Sequence, residues 1–497
     1  MNGWRGLIVI LAVLPTHAPR RKPAPKRAAV SNSSSSPDAR KLFEDGQTAF
    51  ENEHYPQAVD NWRQALRKDP RFTLAHLFIS FVTTDPQEQK SERDRAQALA
   101  LRAAKRDRLL VKWLSGVEQE QYVPAIAAMN DLLASYPSDK HVVFLAGRWL
   151  NSQEQYEPAS KLLQRATQLD PGYAAAWNQL AYCYAYTGDF SNAFAAMERY
   201  IALLPKDPNP QDSYAEILRM AGDYRDALEH YRRALQIDPA FQNSQLGIAD
   251  TYSLMGEEAT ARAEYDKAAG KTSARSEQVN FEIQSALTYV RERKPKRSVA
   301  ALDSAASQAH SAHASLLEAE AYRDMALIER DNQQSLTYLD KASAALADTS
   351  VAPGPELHQE RAEVLRLRAV RLATAGNAEA AKQALQELDL LQQATHGTAL
   401  SRTYAGAMGS VLVVSQHYAE AVPYLEEDTR NPLSMRELIV AYTQTGTTDR
   451  AHVLEMKLAA FNQPTVEQAL VVPELRTKLA ATKEKRGWLR KLMGGDQ

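Results

Sequence analysis

Proline recurs at a step of 34 residues through the middle of this chain, at Pro137, Pro171, Pro205 and Pro239. Three further columns keep the same step: an alanine column (Ala125, Ala159, Ala193, Ala227, Ala261), an aromatic column (Tyr122, Tyr156, Phe190, Tyr224) and a glycine column (Gly188, Gly222, Gly256). A period of this length is typical of a solenoid, because one unit is too small to bury its own apolar face and must stack on its neighbours.

Each period predicts two helices joined by a tight turn. Trp177, Leu180, Ala181 and Tyr184 lie at i, i+3, i+4 and i+7, which places an apolar stripe on one face of a first helix. Gly188 is predicted to end that helix, since glycine adopts the left-handed conformation without steric cost. The proline of each period ends the second helix.

An Asp-Pro pair marks the junction between several periods, as in Asp69-Pro70, Asp170-Pro171 and Asp238-Pro239. Aspartate is a favoured N-cap and proline a favoured first helical residue. We therefore expect these pairs to start the next helix.

The segment "WNQLAYCY" at 177–184 resembles the opening of the tetratricopeptide repeat signature, with Ala181 in place of the usual glycine, and Ala193 and Pro205 match its later positions. The segment 221–239, "AGDYRDALEHYRRALQIDP", is similarly close. The resemblance implies an all-α fold, a right-handed α-solenoid of antiparallel helix pairs that forms a tetratricopeptide superhelix. With degenerate units at 72–139 and weaker helical patterns after 275, we expect roughly 11–12 helix pairs.

These patterns predict six segments along the chain. They are a signal peptide-like segment (1–18), a disordered linker rich in proline, serine and basic residues (19–37), the repeat solenoid (38–275), degenerate repeat-like helix pairs (276–350), C-terminal repeat-like helix pairs (356–466) and a capping helix with a basic tail (467–497).

The N-terminus suggests export. Arg5 precedes an apolar run from Leu7 to Leu14, and the small residues Thr16 and Ala18 suit a signal peptidase. Five positive charges directly after the run oppose translocation. We expect an exported bacterial protein of the periplasm or cell envelope, and the alternative is a cytoplasmic protein with a wrongly assigned start.

Composition and motifs exclude several functions. Lys and Arg total 59 against 61 Asp and Glu, so no nucleic-acid partner is expected. Cys183 is the single cysteine, and the pair His310 and His313 lacks a third ligand, so we predict no metal site. Phosphate-binding and serine-hydrolase motifs are missing, and we therefore expect no cofactor and no catalytic residues.

The resemblance implies a concave groove, lined by first helices, that binds a protein or peptide. The groove positions off the packing stripe are predicted to be Phe144, Arg148, Asn178, Tyr182, Asp212, Glu216, Arg219 and Asp250. Tyr186 is a further candidate contact. The basic clamp with which some family members hold a terminal carboxylate is absent here, so that activity is not expected.

Two alternatives remain open beside a non-enzymatic scaffold or adaptor. A glycan-acting or other enzyme on a helical repeat framework would use paired carboxylates, for which Asp212 and Glu216 are the one pair worth nominating. A membrane-surface adaptor would use the basic tail, through peripheral contact of residues 483–497 with anionic lipid.

Overall fold

The computed structural model describes residues 34–83, 85–348, 354–395 and 397–492, and for 482–492 only the course of the helix. The predicted signal-like segment and nearly all of the predicted linker lie outside these residues, as does the end of the basic tail. Every regular element in the described part is an α-helix, which confirms the predicted all-α repeat fold. No described helix is long and apolar enough to span a bilayer.

The helices are α1 (Pro37–Glu51), α2 (Tyr55–Lys68), α3 (Thr73–Val82), α4 (Pro86–Ala100), α5 (Lys105–Glu118), α6 (Tyr122–Ser135), α7 (Lys140–Ser152), α8 (Tyr156–Leu169), α9 (Ala174–Tyr186), α10 (Phe190–Leu203), α11 (Asn209–Ala221), α12 (Tyr224–Ile237), α13 (Gln242–Met255), α14 (Glu258–Ala269), α15 (Arg275–Arg291), α16 (Pro295–Ser311), α17 (Ser315–Ile328), α18 (Asn332–Ala345), α19 (Pro355–Thr374), α20 (Ala378–Thr395), α21 (Thr398–Val414), α22 (Tyr418–Glu427), α23 (Pro432–Gln444), α24 (Thr448–Ala459) and α25 (Val466–Leu492).

The chain divides into two compact units, Met1–Ala146 and Gly147–Gln497. The segment boundaries predicted from the sequence stay predictions. In the second unit the odd-numbered helices from α9 to α23 contact one another in sequence, in addition to their own even-numbered partners. The odd-numbered helices are the first helices of their pairs, and we call the surface that they share the first-helix face.

Aromatic side chains fill the core of the first unit. The ring centroids of Phe43 and Phe72 are 4.8 Å apart, and those of Trp62 and Phe78 are 5.3 Å apart. The Trp62 indole N–H donates to the carbonyl of Phe43 at 3.2 Å, so this buried ring also satisfies its polar atom.

The alanine column explains how closely the two helices of a pair approach. All five of its members have no exposed surface. Gly247 plays the same part on a first helix, since a Cβ there would lie on the ring of Tyr231, and a Cβ on Gly409 would lie 2.5 Å from Leu425. Small residues on one helix thus make room for large ones on its partner.

In the turn between the helices of a pair, one residue has a left-handed backbone conformation. This conformation recurs every 34 residues, also in repeats that have no glycine at that position. Gly188, Gly222 and Gly256 have φ of 81°, 92° and 83°, which confirms the predicted helix ends. Glu120 and Glu154 occupy the two preceding positions at that step and have φ of 59° and 58°. The backbone conformation therefore repeats even where glycine does not.

The Asp-Pro pairs do not start helices, and this prediction was wrong. Asp69, Asp170 and Asp238 are the C-caps of α2, α8 and α12, and the next helix begins a few residues later. Each aspartate instead accepts a hydrogen bond from the backbone N–H two residues on, at 2.9–3.0 Å. That local turn competes with N-capping, because it uses the same carboxylate oxygen.

Helix α25 folds back onto the first-helix face instead of only extending the stack. It contacts α23 and α24, and also α15, which lies far earlier in the chain. Val466 and Ala469 join a buried cluster with residues of α15 to α17, whereas Val471 and Val472 join another with residues of α21 to α24. The start of this helix therefore connects two groups of repeats within the second unit.

Candidate binding surface on the first helices

The structure separates the eight predicted groove residues by unit and by exposure. Phe144 belongs to the first unit and is fully buried, whereas the other seven lie in the second unit. Asn178, Asp212, Arg219 and Asp250 are buried, and Arg148, Tyr182 and Glu216 are half-buried. Their role in binding a partner stays a prediction.

Five polar side chains form a continuous hydrogen-bonded series across α9, α11, α13 and α14, which we call the polar ladder. The Tyr182 hydroxyl donates to Glu216 at 2.6 Å, and Arg219 lies 3.5 Å from the other oxygen of Glu216. Arg219 also donates to Asp250 at 2.7 Å, and the Tyr265 hydroxyl donates to the same carboxylate at 2.7 Å. All members of the ladder except Tyr265 are predicted groove residues.

The spacing of these bonds follows from the repeat. Tyr182 and Glu216 are 34 residues apart, and Arg219 and Asp250 are 31 apart, so each bond joins the first helix of one pair to the first helix of the next. A third bond of this kind runs from Ser244 to Asp212 at 2.6 Å. Side chains at neighbouring repeat positions thus satisfy each other when stacking removes them from water.

Burial controls the protonation of the ladder. The pKa of the Tyr182 hydroxyl is raised well above its usual value by burial and by the nearby Glu216 carboxylate, so it stays a donor. Burial by itself would lower the pKa of Arg219, but Tyr231, Asp250 and Glu216 raise it overall. The Tyr182 hydroxyl and the Arg219 guanidinium therefore both keep their protons over the physiological pH range.

Three tyrosine rings lie in a row that begins at the Tyr182 end of the ladder and continues through Tyr186 to Tyr156. The Tyr182 and Tyr186 centroids are 6.1 Å apart, and Tyr186 stacks on Tyr156 at 4.7 Å with an interplanar angle of 18°. Arg430 lies over the Tyr156 ring, 4.2 Å from its centroid. Tyr186 is 39% exposed, which makes it the most accessible aromatic residue beside the ladder.

Arg430 belongs to a long-range contact, which we call the seam, between the start and a late part of the second unit. Glu154 accepts a hydrogen bond from Arg430 at 2.5 Å and also pairs with Arg402, while the Thr398 hydroxyl donates to the carbonyl of Gln153. Sequence analysis did not find the seam, because the partners are about 250 residues apart and belong to no shared column.

The polar side chains of α25 are also engaged. Gln468 accepts a hydrogen bond from Arg291, and Glu467 lies 3.9 Å from Arg323. Arg476 donates to the carbonyl of Ala459 at 2.8 Å and to Asn462 at 2.6 Å. The start of α25 thus covers part of the first-helix face of the later repeats. Near the ladder, the accessible part of the face lies at Tyr182, Tyr186 and Glu216.

Asp212 and Glu216, the carboxylates nominated for catalysis, are both engaged within this arrangement. Asp212 accepts from the buried Ser244, and Glu216 accepts from Tyr182 and contacts Arg219. These contacts hold the two carboxylates as structural acceptors. The chemistry that the surface offers is an exposed aromatic ring beside a half-buried carboxylate and hydroxyl, which suits recognition of a partner by stacking and hydrogen bonding.

Two adjacent segments of the chain, residues 150–217 and 218–278, match the family described as Tetratricopeptide repeat. The chain is 30% identical over 114 residues to the BBSome complex member BBS4 of Xenopus tropicalis, which covers 23% of this chain and 22% of that protein. It is 34% identical over 76 residues to Tetratricopeptide repeat protein 5 of Mus musculus, which covers 15% of this chain and 17% of the relative. The chain thus spans less than a quarter of the length of these relatives.

Among solved structures, a tetratricopeptide repeat protein from Parabacteroides merdae ATCC 43184 is similar over 55% of this chain and 94% of its own, with 15% identity and a TM-score of 0.36. The repeat matches at 150–278 coincide with the helices in which the alanine and glycine columns are complete. Residues 150–278 of the chain are therefore similar to tetratricopeptide repeats, in agreement with the helix pairs of the described residues.

Proposed function

We propose that this protein is a non-enzymatic scaffold or adaptor that binds a protein or peptide partner on the first-helix face of its repeats. Tetratricopeptide repeats generally bind protein partners, and a scaffold of this kind needs a rigid surface with a few anchors. The observation that carries the proposal is the exposed Tyr186 beside the polar ladder, in the segment where the repeats are most regular.

The ladder supports this role by holding the surface in a fixed shape before a partner arrives. Tyr182, Glu216 and Arg219 bond across neighbouring repeats, so the rings of Tyr182 and Tyr186 are presented with little freedom. Less side-chain freedom then has to be lost on binding, which raises affinity for a given contact area.

We propose no catalytic role for Asp212 and Glu216, since their oxygens already accept hydrogen bonds from Ser244 and Tyr182. The membrane alternative depends on residues 483–497, whose side chains lie outside the described residues. Export to the cell envelope also stays a prediction, because residues 1–18 lie outside them too.

The test places a photo-crosslinking amino acid at Tyr186 in the full chain and irradiates cells that produce it. Tyr424, on the second helix α22, is 37% exposed against 39% for Tyr186, and it supplies a matched control site. We expect a discrete adduct from position 186 and none from position 424. Equal adducts from both positions, or none from either, would contradict the proposed surface.

A further inference from the structure

A cavity of about 500 Å³ lies in the later repeats of the second unit, away from the polar ladder. Its walls come from α17, α19, α21 and α23, and the start of α25 closes one side through Glu467 and Leu470. Cavities that hold small ligands have volumes of roughly 300–1,000 Å³ and combine apolar walls with a few polar groups. This cavity meets both conditions, so its charges decide what it could hold.

Most of the charged side chains in the walls are already matched. Arg323 pairs with Glu360 at 2.7 Å and approaches Glu467 at 3.9 Å. Arg366 pairs with Asp428 at 3.1 Å and approaches Glu363 at 3.8 Å. These two arginines are therefore occupied by carboxylates of the chain.

A third acid in the walls is also engaged. One oxygen of Glu329 accepts from the backbone N–H groups of Arg330 and Asp331, at 2.7 and 3.0 Å. These bonds turn the carboxylate toward its own backbone.

Arg371 is held differently. One of its terminal nitrogens donates to the carbonyls of Ala326, Leu327 and Glu329, at 2.9, 3.1 and 2.7 Å. These neutral acceptors at the end of α17 fix the guanidinium without cancelling its charge. Its Nε is buried and has no hydrogen-bond partner.

Arg436 supplies a second cation at the same cavity. It is 53% exposed, and its nearest carboxylate, Glu437, is 3.9 Å away. Burial raises the pKa of Glu437, which favours its neutral form. Burial lowers the pKa of Arg371; Glu329 opposes that effect, and the charge of Arg436 adds to it. Arg371 and Arg436 thus line the cavity with little compensation, and Arg330 is a further arginine of the wall.

We propose that this cavity binds a small carboxylate carried on an apolar chain. The carboxylate is received by Arg371 and Arg436, because guanidinium groups form strong charge-assisted bonds to carboxylates. The chain lies against Leu327, Leu367, Val370 and Leu433 of the walls. Two sources share this chemistry: a medium-chain fatty acid, and the free C-terminus of a short peptide with an apolar last residue.

The test measures binding of decanoate, decanol, acetyl-Leu-Leu and the C-terminal amide of that peptide to the full-length protein by titration calorimetry. We expect saturable binding of decanoate, acetyl-Leu-Leu or both, and at least tenfold weaker binding of decanol and of the peptide amide. Binding of decanoate alone points to the fatty acid as the source, and tighter binding of the peptide acid points to a peptide terminus. No saturable binding of either acid, or equal binding of decanol, overturns the proposal.

Arg436→Gln is the decisive variant, because its exposed side chain leaves the fold in place. Loss of one charged bond should weaken binding by roughly ten- to a hundredfold. Arg450→Gln is the matched control, since Arg450 is 57% exposed and pairs with Glu426 outside the cavity. Equal losses in both variants would show that position 436 has no special role. The result does not depend on crosslinking at Tyr186, so the two proposals can fail separately.

Discussion

The regular repeats of 150–278 and the later helices α15–α25 are built from the same helix pairs, but they satisfy their buried polar groups in different ways. In the regular repeats, Tyr182, Arg219 and Asp212 bond to the next repeat, 31 to 34 residues on. In the later helices, Arg366 reaches Ser434 of another pair, 68 residues on, and Arg291 reaches Gln468, 177 residues on.

The difference shows what a sequence period can encode. A bond between adjacent repeats recurs with the period, so the residues that form it occupy equivalent positions. A hydrogen bond between distant repeats occurs only once, so the residues that form it do not recur at the 34-residue step. The later helices therefore lose their register in the sequence, while several of their buried polar groups find partners in distant repeats.

The largest expected effect is on the long-range network. Arg366→Met removes the ion-pair partner of the buried Asp428, which then keeps only its hydrogen bond from Ser434 and the more distant charge of Arg402. We expect the free energy of unfolding, measured in urea, to fall by about 3–5 kcal/mol. Arg368→Met on the same helix is the control, because Arg368 pairs with a largely exposed Asp340 and should lose under about 1 kcal/mol. Similar losses in both would refute the distinction between buried and surface pairs here.

A pH-dependent loss of stability should appear in the last regular repeat. Burial raises the pKa of Glu258 from 4.5 to about 7, although Arg291 and Ser253 oppose the shift. The folded state thus binds the proton more tightly than the unfolded state. The stability that this provides is complete below pH 4.5 and is lost as the pH rises through 7.

Glu258→Gln keeps an acceptor for Ser253 but cannot ionise. Between about pH 4.5 and 8, the wild-type protein should lose up to about 3 kcal/mol relative to this variant. Thermal unfolding of both proteins across that pH range checks the prediction. Parallel pH profiles would show that Glu258 ionises in the folded protein as it does in water.

The seam should be a weaker and more local link than the Arg366 network. Glu154→Gln removes the charge that Arg402 and Arg430 share. We expect a global loss of about 1 kcal/mol, because all three side chains are partly solvated. Hydrogen exchange should accelerate at 398–402 and 428–431 and stay unchanged at 224–265. Glu157→Gln, exposed on α8, is the control and should leave both regions unchanged.

A similarly small change in stability tests whether the left-handed turn conformation repeats independently of glycine. Gln416 has φ of 62°, so Gln416→Gly should stabilise the protein by about 1 kcal/mol. Gly256→Ala should destabilise the protein by a similar amount, because Gly256 has φ of 83°. The added Cβ would meet no atom within 4 Å, so backbone strain is the cause of the expected loss. Thermal unfolding of the two variants measures both changes. Changes of the same sign would contradict a backbone origin.

The sequence predicted the packing of the repeats well and the partners of their polar residues poorly. The alanine column coincides with the sites of closest helix contact, and the glycine column predicted left-handed turns, because both depend on local geometry. Asp212, Arg219 and Asp250 were interpreted as groove positions, and nothing in their own segments indicates that stacking would bury them. Glu154 and Gln416 were missed as turn residues because they are not glycine.

By itself, the sequence determined the helix pairs, their step and the residues that let them approach, since each of these depends on contacts within about one period. Only the tertiary structure decided that α25 lies on α15, that Glu154 meets Arg402 and Arg430, and that Arg371 and Arg436 share a cavity. The physical reason is that small rotations between successive repeats accumulate along the stack. The accumulated rotation brings residues that are far apart in the chain close together, and no single segment of the sequence encodes that rotation.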